Sequence, residues 1–436
     1  MKLTIHRGSR EVGGSCIELQ SYDDRIIIDL GIPLTNKNFI AVEMEKRSGY
    51  SGPEIVNAKF LPSINGLYSW DENYPKVRGL IVTHSHMDHC GFINYVDPDV
   101  PVFAGEATHR LLELNQLFTS FEGIQGTKVN YANLKTFSCG RFHITPYLVD
   151  HSAFDAYALL IEADGKNLLY SGDFRNHGRK KYALPGMIRS LSNKRIDTLL
   201  LEGTMLGRNN EKIETEEALE QKAVKLLLGN NAFALIFVSA HNIDRLVTFY
   251  RTAKRLGRFM VVDLYTANVL NELKNFANIP YPSPSYEYLK VFYPKALTDR
   301  TVKEGHSDKV YRFKKYKITR QQIIDKQKEL IMVVRPSMLN DLNKLNILPG
   351  AKFIYSMWAG LQEEVKVKKL MDFAKKKQMD IHHIHSSGHA NLETLKAFVN
   401  VMQPKVVIPI HTLNPEGYNL ISSSVKRLSD EETYTI

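Results

Sequence analysis

"THSHMDHCG", Thr83–Gly91, sets His84, His86, Asp88 and His89 within six residues, directly behind the apolar run "GLIV". Such a run reads as a buried strand. Alternation along an extended chain turns His84 and His86 to one side. If the chain then enters a helix, Asp88 and His89 swing toward the same pocket from its first turn. Neutral imidazoles with a carboxylate are a ligand set that suits Zn²⁺. Four candidate ligands in six residues exceed the needs of one open catalytic site, so the motif predicts two metals, each completed from elsewhere. A lone histidine at a strand end is ordinarily a satisfied polar cap. Solvated surface does not usually concentrate imidazoles behind a buried strand.

The missing partners are sought where other apolar runs stop. "YLVDHS" offers His151, "LYSGDF" offers Asp173, "VVIPIHT" offers His411, and "IIIDLG" offers Asp29 in the same way. Each polar residue follows an apolar run and is expected at one edge of a sheet.

The chain has 436 residues, which fits two domains or one domain with a large insertion. A hydrophobic content of 43% supports a packed core. Cys16, Cys90 and Cys139 form no CxxC pair and read as small buried thiols. No apolar run is long enough to span a bilayer, and the N-terminal stretch has no signal-peptide core, which predicts a cytoplasmic protein without membrane contact. The formal net charge of +10 favours an anionic partner such as nucleic acid.

The first 200 or so residues read as many short strands. "SCIELQ" and "DRIIIDLG" form a predicted hairpin around Ser21–Asp24, and "ADGK" (Ala163–Lys166) is a tight turn between two further strands. After Glu202 the rhythm changes to alternating helix and strand, as in "TEEALEQKAVKLLLG" and "AFALIFVSA". That grammar implies a parallel sheet covered by helices. From about Gln378 the chain returns with "QMDIHHIHSSGHANLETLKAFVNVMQPKVVIPIHT", read as strand, loop, helix, strand. The expectation is an α/β protein in which one domain (1–205 and 372–436) is interrupted by a second α/β domain (206–371). Residues 280–320 are the least regular part.

These motifs together resemble the metallo-β-lactamase superfamily. The resemblance implies an αββα sandwich with metals at one edge. It implies that His84, His86 and His151 hold one zinc, that Asp88, His89 and His411 hold the second, and that Asp173 bridges. Asp29 would orient the site from behind its ligands. The helix–strand insertion resembles the β-CASP domain of the nucleic-acid-processing branch. Glu202 in "LEGT", Ser387-Gly388-His389 in "HSSGHA" and His411 match that branch's motifs. "HSSGHA" is most similar to ribonuclease J, whereas "LEGT" and "REVGGSC" are more similar to the endonuclease of messenger-RNA 3′-end cleavage. With 25 residues after His411, the further C-terminal domain of ribonuclease J is not expected, and "TLNPEG" follows His411 where those relatives usually carry Gly-Glu.

The implied activity is two-metal hydrolysis of phosphodiester bonds in single-stranded RNA, exonucleolytic from the 5′ end, endonucleolytic, or both. The cofactors would be two Zn²⁺ ions, with Mn²⁺ as an alternative. Asp88, Glu202 and His389 are the expected catalytic residues, His389 assisting the leaving oxygen and Glu202 holding a neighbouring histidine. Ser387, Gly388 and His389, ahead of a helix, form an expected phosphate site. "KVYRFKKYKITR" (Lys309–Arg320) carries six cations and no acid among aromatics, which suits a strand-tracking surface as well as it suits a solvated face. "FRNHGRKK" (Phe174–Lys181) directly follows Asp173 and is a second basic candidate. Rival readings are a β-CASP DNA nuclease and a nucleic-acid-binding relative without catalysis. A homodimer is compatible with the sequence, though no residue specifies one.

Overall fold

The computed structural model describes residues 1–34, 50–71, 73–208, 213–229 and 232–436. They form two compact units. The first comprises Met1–Glu113, Phe121–Ile213 and Gly388–Ile436; the second comprises Leu114–Ser120 and Glu214–Ser387.

The first unit holds two sheets. One has β1 (Lys2–Arg7), β2 (Cys16–Ser21), β3 (Asp24–Ile28), β4 (Leu80–Ile81), β5 (Val102–Gly105) and β6 (Lys128–Tyr131) in that order, with β20 (Thr433–Thr435) beside β1. The other runs β19-β11-β10-β9-β8-β7, from β7 (Phe137–Cys139), β8 (Phe142–Leu148), β9 (Tyr157–Ala163), β10 (Lys166–Tyr170), β11 (Thr198–Glu202) and β19 (Val406–Ile410). Alternation in the strands gives each sheet two apolar faces. The inner faces meet in one core that includes Ile17, Ile26 and Ile28 from one sheet and Ile144, Leu159, Ile161 and Ile408 from the other. The outer face of the first sheet buries Ile27, Leu80 and Val82 against Ile55, Tyr68 and Leu112. The outer face of the second buries Leu160, Leu169 and Val407 against helices Ala183–Leu191 and Leu392–Met402. The result is a four-layer αββα sandwich.

Strand direction brings the functional residues together. β3 and β4 are parallel. β10, β11 and β19 are parallel, and β8, two antiparallel steps from β10, points the same way. Asp29, Thr83, His151, Asp173, Glu202 and His411 therefore all lie at or just past C-terminal strand ends. The β9–β10 turn shows how local residues set this order. Asp164 and Gly165 take φ of 53° and 68°, as a two-residue hairpin turn with the twist of its strands requires.

The second unit is built on a parallel sheet in the order β15-β14-β13-β16-β12-β17-β18. Its strands are β12 (Ala234–Phe237), β13 (Phe259–Asp263), β14 (Leu289–Phe292), β15 (Lys317–Ile318), β16 (Leu330–Val334), β17 (Lys352–Tyr355) and β18 (Asp380–His383). β18 corrects the sequence reading, which gave "DIHHIH" to the returning segment. It pairs Asp380–His383 with Lys352–Tyr355 as the edge strand of this sheet. Alternation marks a strand but does not name its neighbour. In Lys309–Arg320 the structure separates the aromatics, leaving Tyr311 exposed. Phe313 is buried, so it is no exposed stacking platform, and Arg312 pairs with Glu272 at 3.2 Å. The three cysteines are buried and unbonded, as expected. Among the described residues, no helix is long and apolar enough to cross a membrane.

Candidate metal centre

His86 caps a single helical turn, Met87–Cys90, with its carbonyl accepting from the His89 and Cys90 amides. This turn swings Asp88 and His89 toward the side already faced by His84 and His86. The turn is clamped from below. Leu30 N donates to His89 O at 2.7 Å and Ile32 N to Met87 O at 2.9 Å. Between them, Gly31 approaches so closely that an added Cβ would stand 1.7 Å from the Asp88 carbonyl.

Three groups converge on one edge: His84, His86 and His151; Asp88, His89, Asp173 and His411; and Asp173, Glu202, His389 and His411. Asp173 stands at their centre, 1% exposed. Its Oδ2 lies within 4.0 Å of a ring nitrogen of His89 at 3.1 Å, His389 at 3.7 Å, His84 at 3.9 Å and His151 at 4.0 Å, and its Oδ1 lies 3.8 Å from His411 Nδ1. His84, His89, His151 and His411 are fully buried, while His86, Asp88 and His389 are partly exposed and form the mouth.

The supporting bonds orient the rings. His151 Nδ1 donates to the Gly388 carbonyl at 2.7 Å, which turns Nε2 toward His86 Nδ1, 3.1 Å away. His89 Nδ1 bonds Asp29 at 2.8 Å. Asp29 also accepts from the Thr83 amide and hydroxyl and from the Tyr170 hydroxyl. Thr204 Oγ1 bonds His411 Nδ1 at 2.8 Å, and the Gly13 amide donates to His411 Nε2 at 3.0 Å. Glu202, fully buried, accepts from the Thr204 and Ala390 amides and lies 3.4 Å from His389 Nδ1. Asp29 and His411 both sit in the left-handed region, at φ of 59° and 52°. Strain of that kind, about 1–3 kcal/mol each, persists where surrounding bonds dictate it.

Among the described residues, His84 Nε2 and Asp173 Oδ1 are buried in this cluster without a hydrogen-bond partner. An orphaned imidazole nitrogen and carboxylate oxygen, a few ångströms apart in a dry pocket, fit a bound cation. The electrostatics agree. Burial, with neighbouring imidazoles, holds His84 and His151 well below the ordinary histidine value, and burial also lowers His86. They stay neutral and able to donate lone pairs. Burial also opposes charge on His89, but Asp173 and Asp29 outweigh it and raise its affinity for a proton. Burial would raise Asp88 and Asp173, yet the surrounding histidines pull both carboxylates below their usual range.

The structure gathers all seven sequence-predicted ligands, with Asp29, Glu202 and His389, on this edge. It gives Gly388 a task not foreseen, anchoring His151 through its carbonyl. Ser387 is buried, in the loop that ends the second unit. The "FRNHGRKK" expectation is revised. Arg175 is fully buried and bonds Asp150 at 3.2 Å, while the Gly178 amide donates to Asp150 Oδ2. This pair ties the loop bearing Asp173 to the loop bearing His151. Thr83, Thr204, Tyr170 and Asp150 were not found in the sequence. Thr83 and Asp150 adjoin motif histidines, but nothing local marks Tyr170 or Thr204 as bonded to the site.

Comparison with known proteins matches residues 64–238 to a beta-lactamase superfamily domain and residues 375–416 to a Zn-dependent metallo-hydrolase RNA specificity domain. Ribonuclease J of Mycoplasma genitalium is 23% identical over 99% of this chain and 70% of its own length. Ribonuclease J of Helicobacter pylori is 21% identical over 94% of this chain and 56% of its own. Transcription termination factor FttA of Methanothermobacter thermautotrophicus is 26% identical over 52% of this chain and 35% of its own. A crystal structure of a protein of unknown function from Enterococcus faecalis superposes with a TM-score of 0.77 at 22% identity, covering 100% of this chain and 99% of that one. A sandwich with a histidine–aspartate cluster at its strand ends defines a metallo-hydrolase. The chain carries a metallo-β-lactamase domain and an RNA specificity domain, and ribonuclease J homologues match nearly its whole length.

Proposed function

We propose that the chain is a metal-dependent ribonuclease that hydrolyses phosphodiester bonds of single-stranded RNA. The observation that carries this is Asp173, a buried carboxylate ringed by five imidazoles with one oxygen unpartnered. The RNA specificity match over 375–416, which includes Ser387–His389 and His411, supports the substrate class. His84, His86 and His151 would hold one zinc or manganese ion and Asp88, His89 and His411 a second, with Asp173 shared. Bound there, the ions supply Lewis acidity and a lowered water pKa.

The chain's own residues do the rest. Asp29 fixes the tautomer of His89 by accepting at Nδ1. Gly388 O does the same for His151. Burial disfavours a proton on His389, but Glu202 and Asp173 outweigh it and raise the residue above the ordinary histidine value. Its protonated ring is thus the donor assigned to the leaving oxygen, with Glu202 holding Nδ1. Ser387 and the amides ahead of helix Leu392–Met402 are assigned to the phosphate. In this reading the second unit is the β-CASP domain, and 372–387 belongs with it.

The test is digestion of 5′-monophosphate, 5′-triphosphate and circular RNAs, with a DNA of the same sequence alongside, by wild type and Asp88→Ala. Metal-dependent cleavage of RNA that Asp88→Ala abolishes is expected. Cleavage of the DNA alone would overturn the substrate assignment. Circular RNA separates endonucleolytic from 5′-exonucleolytic attack.

A further inference from the structure

A groove of about 300 Å³ opens on the first unit beside the metal centre, lined by Asn133, Leu134, Tyr147, Leu148, Tyr182 and Arg189 among others. It contains the exposed apolar side chains Tyr182, 78% exposed, and Leu134, 53% exposed. Leu134 is held at φ 60°, a conformation an aliphatic residue rarely adopts. Two bonds impose it: its amide donates to Pro146 O at 2.8 Å, and Asn133 Oδ1 accepts from the Leu148 amide at 2.8 Å. The fold thus keeps this apolar tip in water at a defined place.

The groove adjoins the catalytic edge. Leu148 ends β8, and His151 follows three residues later, a reach of at most about 10 Å. On the other side, Lys180 Nζ donates to His151 O at 3.3 Å, and Tyr182 is two residues on. The surroundings are cationic. Phe174–Arg195 contains no acid, and the groove lining holds no carboxylate. Lys135, Lys181 and Arg189 have no acidic partner within ion-pair distance among the described residues. Lys181 stands 5.4 Å from the Tyr182 ring centre. A flat exposed aromatic, an apolar wall and uncompensated cations are the parts of a site that stacks a base and neutralises its phosphate.

We propose that this groove is a base-stacking subsite for single-stranded RNA, holding a nucleotide a short way from the scissile bond. Tyr182 stacks, Leu134 walls the base, and Arg189 with Lys181 takes the flanking phosphates. The proposal deepens the ribonuclease reading and rests on it for the substrate class. Gly186, in the lining, has nothing within 4 Å of an added Cβ, so a side chain there starts into open space and Gly186→Leu is the variant that fills the groove.

The test uses the full chain and 15-nucleotide RNAs carrying 2-aminopurine at successive positions. With wild type, the fluorescence of one position is quenched by stacking. In Tyr182→Ala and Gly186→Leu that quench is lost, and the preference for the 15-mer over a dinucleotide falls roughly 5- to 100-fold, mainly in KM. Both variants keeping wild-type quench and preference, while Asp88→Ala abolishes cleavage, overturns the subsite and leaves the ribonuclease reading intact. Quench that depends on Tyr182 without any cleavage by wild type supports the subsite and sinks that reading. A wild-type groove that quenches no position belongs to another partner and overturns the proposal.

Discussion

Asp173 in the first unit and Glu216 in the second are equally buried, each 1% exposed, yet their surroundings differ. Glu216 accepts from Arg245 Nε and Nη2 and from Thr248 Oγ1 at 2.7 Å. Arg245 spends Nη1 on Ser356 Oγ and Ile384 O. That network is saturated by the protein. Asp173 keeps one oxygen without a partner, beside His84 with its Nε2 unpartnered. A buried charge whose atoms are all engaged is structural; a buried cluster that leaves lone pairs unused awaits a ligand. Histidines repeat the contrast. His6 is bonded at both nitrogens, to Glu18 and Glu431 at 2.9 Å, whereas His84 is bonded at one.

The largest effect expected from this comparison is on turnover. Asp173→Asn should lower RNA cleavage on the order of 10³-fold or more and reduce bound metal. In chelator-treated protein the same change should cost less urea stability than Glu216→Ala, because the Asn carbonyl can still accept from His89 Nε2 although the attraction of the surrounding histidines for the carboxylate is lost. An Asp173→Asn protein that kept its metal and turnover would break the comparison. Glu216→Ala should do the opposite. It strands Arg245 and should cost about 3–5 kcal/mol in urea unfolding whether metal is present or not. The double change Glu216→Leu with Arg245→Met should recover most of that loss.

Metal removal comes next. Stripping a wild type held at 1,000 times its dissociation constant should cost about 4 kcal/mol, read by thermal unfolding with and without chelator. Asp173→Asn should show much less of this loss, and Glu216→Ala all of it. Gly31→Ala should give an intermediate result, since its Cβ meets the Asp88 carbonyl. Metal affinity should fall more than stability in urea.

The smallest effect is on pH dependence. Burial opposes charge on His6, but Glu18 and Glu431 overcome it and raise its pKa to about 9 from 6.5. A raised folded-state pKa gives stability that is complete below 6.5 and lost as pH climbs through 9. Glu431 is mostly exposed, which discounts the gain to roughly 2 kcal/mol. His6→Gln should flatten the stability profile between those values. An unchanged profile would show that His6 adds no pH-linked stability.

Much of the site was legible because its residues sit where apolar runs end. His151, Asp173 and His411 each follow such a run, and parallel direction carries them to one edge. Within "FRNHGRKK" the charge pattern did not reveal that Arg175 is buried and turned inward to Asp150, whereas Lys181 stays exposed. "DIHHIH" misled because a strand's partner is chosen by distant backbone groups. The same limit hid Thr204 and Tyr170, whose bonds to His411 and Asp29 span 207 and 141 residues.

The amino-acid order by itself determined which side chains could bind metal, because ligand type and strand periodicity are local properties. It also determined the switch from short strands to alternating helix and strand. Only the tertiary structure decided which imidazole nitrogens face the pocket and which buried atoms stay unpaired. Those outcomes depend on hydrogen bonds between segments far apart in the chain, such as His151 to Gly388, and such bonds exist only once the sheets have packed.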